Sequence, residues 1–308
     1  MQEIYFSVSA SLPSLSNPLN PEKLNMNAKQ RLTTFFTAAV MSGMVAQAVP
    51  IFEETFDGLN LGQVSGQGGW QGTGDAENWD VVAGGLDGAG GYIPGGTQRI
   101  QIGADNNDRG DGHLYHNFTA QSGTLYARMT FQNPTPSGTS QFFMFGLTSD
   151  GSSDSNSLSG VYASNQIRAR AYENGTTNTN TNLGRSTLGF ASDDLFRDAL
   201  FTFVIKAEKS NPAGNYDTVT VFVNPDLSFG SSENAGLGSV VVVRDTLTDT
   251  LSSFYFRTGG SSPADAETFI VDSIAVGTTW EAIAIPEPST LVLLGIALGS
   301  VLLFRRRR

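Results

Sequence analysis

His113 and His116 are the only histidines in the 308 residues, and there is no cysteine. Thiolate metal sites and disulfides are therefore excluded, and any Ser-His-Asp relay must use one of the two imidazoles. They lie in DGHLYHNF, three positions apart. On a strand that spacing turns them to opposite faces, so a joint two-His metal site is disfavoured. No G-x-S-x-G nucleophile elbow accompanies them. Retaining glycoside hydrolysis needs two carboxylates about 5 Å apart, which on one strand means acids at i and i+2 or i+4. The nearest pairs are Asp265 with Glu267, in a proline-containing loop, and Glu77 with Asp80, which face opposite ways on a strand. Hard oxygen ligands are concentrated in DNNDRGDG (105–112), where Asp105, Asn107, Asp108 and Asp111 sit among glycines as Ca²⁺ ligands would. Arg109 occupies the fifth position and the distal Glu is missing, so a solvated turn is the ordinary alternative. For stacking on a glycan, Trp70 is the expected exposed ring, because Gly68, Gly69 and Gly72 surround it. Trp79, Tyr92, Tyr115, Tyr162 and Tyr172 are further aromatics, most of which a β-sandwich would use as core.

The elements that must position these residues read as strands. Leu125 to Phe131 alternates with Leu125, Ala127, Met129 and Phe131 on one face, and Gln141 to Leu147 is a continuous apolar run. Ile167 to Tyr172 alternates with Arg168 and Arg170 turned outward. Phe201 to Ala207, Thr218 to Val223, Ser239 to Val243, Phe254 to Arg257 and Thr268 to Val276 follow. SDGSSDSNSLSG (149–160) and NGTTNTNTN (174–182) read as loops, and only Ser192 to Ala199 has a helical pattern. Short strands at regular intervals, with no repeat of fixed period and no linker, predict one all-β domain, a sandwich or barrel.

Charge narrows the partners. Between residues 49 and 285 there are 11 Lys and Arg against 26 Asp and Glu, a net charge of −15. Such a surface repels phosphate chains, so nucleic acid is not an expected partner.

Both ends of the chain differ from this middle. Pro286, Glu287 and Pro288 precede Leu291–Phe304, 14 uncharged residues, and then Arg305, Arg306, Arg307 and Arg308. A helix of that length spans roughly 21 Å, short of the roughly 30 Å hydrocarbon core. The arginines resist translocation and should stay on the cytoplasmic side, while the prolines keep the preceding stretch extended for a protease. At the other end, Met26 opens a signal-peptide pattern: Lys29 and Arg31, the apolar run Leu32 to Val45, then Ala46-Gln47-Ala48 as a cleavage site after Ala48. Residues 1–25 then lie before the true start or form a disordered extension.

Two resemblances follow from these residues. Pro286-Glu287-Pro288, the short apolar helix and the arginine cluster resemble the PEP-CTERM sorting domain. That resemblance implies recognition by exosortase, a membrane protease-transpeptidase of Gram-negative bacteria, and transfer from a transient inner-membrane anchor to the cell surface or polysaccharide matrix. IFEETFDGLNLGQVSGQGGW (51–70), WDVVAGGL (79–86) and FIVDSIAVGTTWEAI (269–283) resemble the first and last strands of a laminin-G or concanavalin-A-like jelly roll. That resemblance implies that the closing strand pairs beside the opening one, and makes calcium a reasonable ligand.

The expected division is an extension (1–25), a signal helix (26–48), a concanavalin-A-like jelly-roll sandwich (49–285) and a sorting and anchoring segment with a transmembrane-type helix (286–308). Three readings of the sandwich stay open: a non-catalytic surface or matrix domain in contact with extracellular polysaccharide, a secreted glycan-active hydrolase, and a purely structural exopolymer component.

Overall fold

The computed structural model describes residues 48–73, 79–86, 93, 96–102, 113–134, 142–153, 156–163, 165–172, 179–228, 231–244, 246, 248–259 and 268–284. Within them the chain builds two stacked antiparallel sheets. It enters through β1 (Phe52–Glu54) and β2 (Gly62–Gln63), crosses to the second sheet at β3 (Trp70–Thr73), and returns for β4 (Trp79–Ala83) and β5 (Gln98–Ile102). β6 (His113–Gln121), β7 (Leu125–Gln132) and β8 (Phe142–Thr148) then alternate between the sheets. β9 (Ser157–Ala163), β10 (Gln166–Tyr172) and β11 (Thr179–Gly184) extend the second sheet as a meander. A short helix, α1 (Asp193–Arg197), leads back to β12 (Leu200–Glu208), β13 (Thr218–Val223) and β14 (Gly238–Val243) in the first sheet. β15 (Leu251–Gly259) crosses once more, and β16 (Phe269–Gly277) closes the first sheet before the turn of helix α2 (Trp280–Ile283). The nine-stranded sheet runs β14-β13-β12-β7-β16-β5-β4-β2, with β1 also on β16, and the seven-stranded sheet runs β11-β10-β9-β8-β15-β6-β3. This is the expected all-β jelly-roll sandwich. The two flanking helices expected at 26–48 and 286–308 lie outside the described residues. Among the described residues no helix is long and apolar enough to cross a membrane.

Side-chain alternation produces the core. Leu125, Ala127, Met129 and Phe131 of β7 point inward, as their spacing predicts, and meet Phe143 and Phe145 of β8 from the opposite sheet. Phe131 and Phe143 stack at 4.8 Å between centroids, and Phe145 stacks on Phe203 at 5.0 Å. Such offset aromatic contacts add to the free energy of area burial. The opening and closing strands pair as the jelly-roll resemblance implies, with Phe52 opposite Val276 and Glu54 opposite Ile274.

β16 departs from simple alternation in a way that serves the core. Phe269, Val271, Ile274 and Val276 all join the core, so one residue too many separates Val271 from Ile274. The register against β7 shifts between Asp272 and Ala275, and Ser273 adopts a left-handed φ of 49°. A bulge that absorbs one residue resets the phase, and both halves of the strand then face inward.

Several expectations need correcting. Residues 157–160 and 179–182, read as parts of loops, belong to strands β9 and β11. Small residues in β9 fit because large neighbours occupy their space: a Cβ on Gly160 would lie 2.4 Å from Phe145 Cζ, and the Ser157 hydroxyl accepts from Tyr255. In β11, alternating Thr and Asn suit an edge strand with one polar face. The closing segment also ends differently, because 280–283 is a helical turn rather than a continuation of the strand.

Substitution of Gly160 by Ala should destabilise the fold by about 1–3 kcal/mol through overpacking against Phe145. Gly123→Ala, where an added Cβ meets nothing within 4 Å, should change stability by less than about 0.5 kcal/mol. Chemical denaturation of both variants checks the contrast, and equal effects would refute the packing argument.

Candidate functional site

The chain is taken into the fold at Ile51, whose N–H donates to the Val276 carbonyl at 2.8 Å, and is held until Ala284. After β16 it reverses at Gly277, where a Cβ would lie 2.6 Å from Ala282 Cβ, so the absence of a side chain lets α2 fold back on the sheet. Thr279 caps that turn by accepting from Ala282 N–H at 3.3 Å. Trp280 and Ile283 then pack on the outer face of the nine-stranded sheet with Tyr126, Val204, Phe222, Leu227 and Ala275. The indole meets Tyr126 and Phe222 edge-on at 6.0 and 5.6 Å, and its N–H donates to Ser231 Oγ at 3.3 Å.

A charged frame surrounds this dock. Arg128 points outward from β7 yet is only 5% exposed; its Nη1 donates to the Ile283 carbonyl at 2.5 Å, and Nη2 lies 3.5 Å from Glu53 on β1. Burial lowers the Arg128 pKa from its ordinary value, and Glu53 opposes that shift. One guanidinium thus ties the last turn of the domain to its first strand. On the other side the Tyr126 hydroxyl donates to Glu233, and Lys206 bridges Glu233 and Glu208 at 3.0 and 2.9 Å. Burial and then the Glu233 hydrogen bond raise the Tyr126 pKa. Burial works against the charge on Lys206, but hydrogen bonds to Glu208 and Glu233 hold its pKa above the ordinary value.

The bulge in β16 produces a second polar centre that sequence reasoning missed. Asp272 is fully buried and accepts from Leu86 and Ser273 N–H, both at 2.7 Å. Nearby, Asp57 accepts from Thr97 and Gln98 N–H at 2.6 and 3.0 Å. Burial pushes the Asp272 pKa from 3.8 up to about 6; the backbone donors oppose this and the Asp57 charge adds to it. Each carboxylate is committed to backbone N–H groups: Asp272 ties the segment after β4 to the central strand, and Asp57 ties the start of β5 to the turn after β1. The sequence signal was the extra residue between Val271 and Ile274.

The residues singled out from sequence fare differently. Trp70 is not a surface ring: it is 1% exposed, stacked on Phe256 at 5.7 Å, with its indole N–H donating to Glu54 at 3.2 Å. The surrounding glycines have a packing role instead. Gly68 and Gly69 take left-handed φ values of 55° and 89°, and a Cβ on Gly69 would lie 2.6 Å from His116 Nε2. Trp79 and Tyr162 are core residues as well. His113 and His116 do face opposite ways. His116 stacks on Phe52 at 4.2 Å on the core side, and His113 lies beside Tyr255 on the outer side. Asp80 is exposed on β4. Asp105, Asn107, Asp108 and Asp111, the pair Asp265 and Glu267, and Glu77 lie outside the described residues, as do Ala46, Pro286, Glu287, Pro288 and Arg305 to Arg308. Ala48 is the first described residue, and Val49 after it is 78% exposed. Among the described residues no three His, Asp or Glu side chains group to hold a metal ion.

Comparison with known proteins adds one assignment. Residues 284–308 match the PEP-CTERM protein-sorting motif, which begins at the last residue docked on the sheet. That motif marks an exported protein with a C-terminal membrane-anchoring sorting signal. No curated protein matches the chain. Among solved structures, a carbohydrate esterase from Shiga toxin-encoding bacteriophage phi24B aligns at 12% identity and TM-score 0.44, covering 75% of this chain and 99% of that one. The binding domain of botulinum neurotoxin serotype G aligns at 11% identity and TM-score 0.43, covering 82% of this chain and 51% of that one. A serotype D/C binding domain gives 11%, 0.43, 81% and 52%. The chain thus spans about half the length of the toxin domains it matches, and at these scores the likenesses say nothing about ligand or activity.

Trp280→Ala should cost about 3 kcal/mol by emptying the dock, and thermal unfolding measures it; an unchanged melting temperature would show that α2 is not held. The raised pKa of Asp272 makes the folded state bind its proton more tightly than the unfolded chain. Its contribution to stability is therefore present below about pH 4 and is lost as pH rises to about 6. Asp272→Asn, whose amide oxygen can keep one of the two N–H donors, should melt lower overall but without this decline between pH 4 and 6. A decline of the same size in the variant would assign it to another group.

Proposed function

We propose that this chain is an exported cell-surface or extracellular-matrix protein that exosortase sorts through Pro286-Glu287-Pro288, the apolar stretch and Arg305 to Arg308. The match of residues 284–308 to the PEP-CTERM motif carries this reading. In it, the segment 26–48 directs export with cleavage after Ala48, and the C-terminal segment anchors the precursor in the inner membrane until it is processed. The sandwich is the delivered part, a non-catalytic domain in contact with extracellular polysaccharide.

The geometry at the end of the fold supports the reading. Ile285 alone separates the buried Ala284 from Pro286, so a cut within the motif would leave α2 and every described strand intact. Arg128 and the Trp280 dock hold residues 280–283, just ahead of such a cut.

Replacement of Pro286, Glu287 and Pro288 by alanine tests the sorting step. In the source cell the wild-type protein should lose its C-terminal residues and reach the outer fraction, as intact mass and fractionation would show. The variant should keep its full mass and stay with the inner membrane. Identical processing and location of the two proteins would refute exosortase sorting. Release of reducing sugar from cell-surface polysaccharide by the purified protein would overturn the non-catalytic reading of the sandwich.

A further inference from the structure

The edges of the two sheets are not alike. The nine-stranded sheet ends in β2 and β14, the seven-stranded sheet in β3 and β11. β2 is two residues long, β3 is four residues long with Gly72 among them, and β11 opens with alternating threonine and asparagine. Short or polar edges are poor templates for a further strand. β14 has neither protection. Its six residues, GSVVVV, include no charge and no proline, and β13 beside it, TVTVFV, is uncharged as well. Val240 and Val242 fill the core, while Val241 and Val243 are 44% and 63% exposed.

Hydrogen bonding decides which backbone groups this edge leaves over. Arg244 N–H donates to the Asp217 carbonyl at 2.6 Å, one step beyond the opposed residues Val243 and Thr218. Bonded and non-bonded pairs alternate along an antiparallel ladder. Val242 and Val240 therefore bond to Val219 and Val221, and Ser239, Val241 and Val243 turn their N–H and C=O groups away from β13. The far side of β13 agrees. There Asn224 N–H donates to the Thr202 carbonyl at 2.8 Å, which assigns Thr218, Thr220 and Phe222 to β12 and leaves Val219 and Val221 for β14. Among the described residues no strand takes up the outward groups of Ser239, Val241 and Val243, and all three side chains are exposed.

We propose that β14 pairs antiparallel with β14 of a second copy of this chain, about a two-fold axis at Val241. In that register Val241 stands opposite its own counterpart and Ser239 opposite Val243. Every outward N–H and C=O of the three residues then meets one on the partner strand, and the two nine-stranded sheets continue into one. The exposed valines meet on one face of the joined sheet, where cross-strand apolar pairs are favourable. The contact uses the same edge on both copies, so it closes at two. Charge also selects this place. The net charge of −15 between residues 49 and 285 sets two copies against each other, and an uncharged strand beside an uncharged neighbour brings no like charges face to face.

Sedimentation equilibrium of the full-length protein in density-matched detergent tests it. The wild-type protein should form a dimer that strengthens as salt rises, because salt screens the long-range repulsion and leaves the strand pairing intact. Val241→Lys and Val241→Asp change an exposed position and should leave the melting temperature alone. Each should weaken the dimer about tenfold or more, since the introduced charges face each other across the axis. An equimolar mixture of the two variants should restore the dimer, because opposite charges then meet. Ser239→Lys combined with Val243→Lys should weaken it in the same way and serves should position 241 not tolerate the change. A wild-type monomer at about 100 μM would overturn the proposal and leave the edge to a strand of another protein. Undiminished dimers in these variants would overturn it by placing the association elsewhere, such as in the apolar C-terminal stretch. A mixture that stays monomeric, or assemblies that grow beyond two, would overturn the two-fold register.

Discussion

The central strand β16 carries more of this structure than any other element. All nine of its residues are buried, and it pairs with β1, β5 and β7 at once. Its inner face supplies Phe269, Val271, Ile274 and Val276 to the core, and its outer face supplies the floor under α2. Both are possible only because the bulge at Asp272 and Ser273 absorbs one residue. A strand without the bulge would turn one half of its apolar set outward. The bulge in turn leaves a carboxylate in the interior, and the backbone donors of Leu86 and Ser273 are what make that position tolerable.

The two ends of the domain are secured by the same few contacts. β1 lies along the last turns of β16, and Arg128 joins Glu53 near the start of the domain to the carbonyl of Ile283 near its end. A guanidinium buried this deeply is costly to strand, so loss of either partner would leave an unsatisfied charge. The polar frame of Tyr126, Glu233, Lys206 and Glu208 borders the same dock and keeps Trp280 out of water from the other side. The chain therefore reaches Ala284 at a fixed point on the sheet.

Much of this architecture could be read from alternation alone. β7, β10, β12, β13 and β16 are visible because β-branched and aromatic residues recur with period two, β8 because it is a continuous apolar run, and the pairing of the first and last strands follows from a family likeness. Other features were hidden for definite reasons. β9 has Ser and Gly where a strand usually has bulk, because Phe145 and Tyr255 from neighbouring strands fill those spaces. The glycines around Trp70 suggest exposure, but they bring a loop close enough to bury the ring and touch His116. The Arg128 latch depends on a contact between residues 155 positions apart, for which local sequence has no sign. The carboxylate of Asp272 is buried at the bulge, whose one trace is a misplaced beat in FIVDSIAV.

The place of β16 at the centre of its sheet also sets an order of events. It is the last of the described strands to be made, yet β5 and β7 stand on either side of the gap it fills. Until Phe269–Gly277 has emerged, the nine-stranded sheet is two separate pieces, each with an open edge, and β1 has no strand to pair with. Contacts this distant in sequence form slowly. A chain that appears N-terminus first therefore cannot close the nine-stranded sheet until β16 slides between β5 and β7.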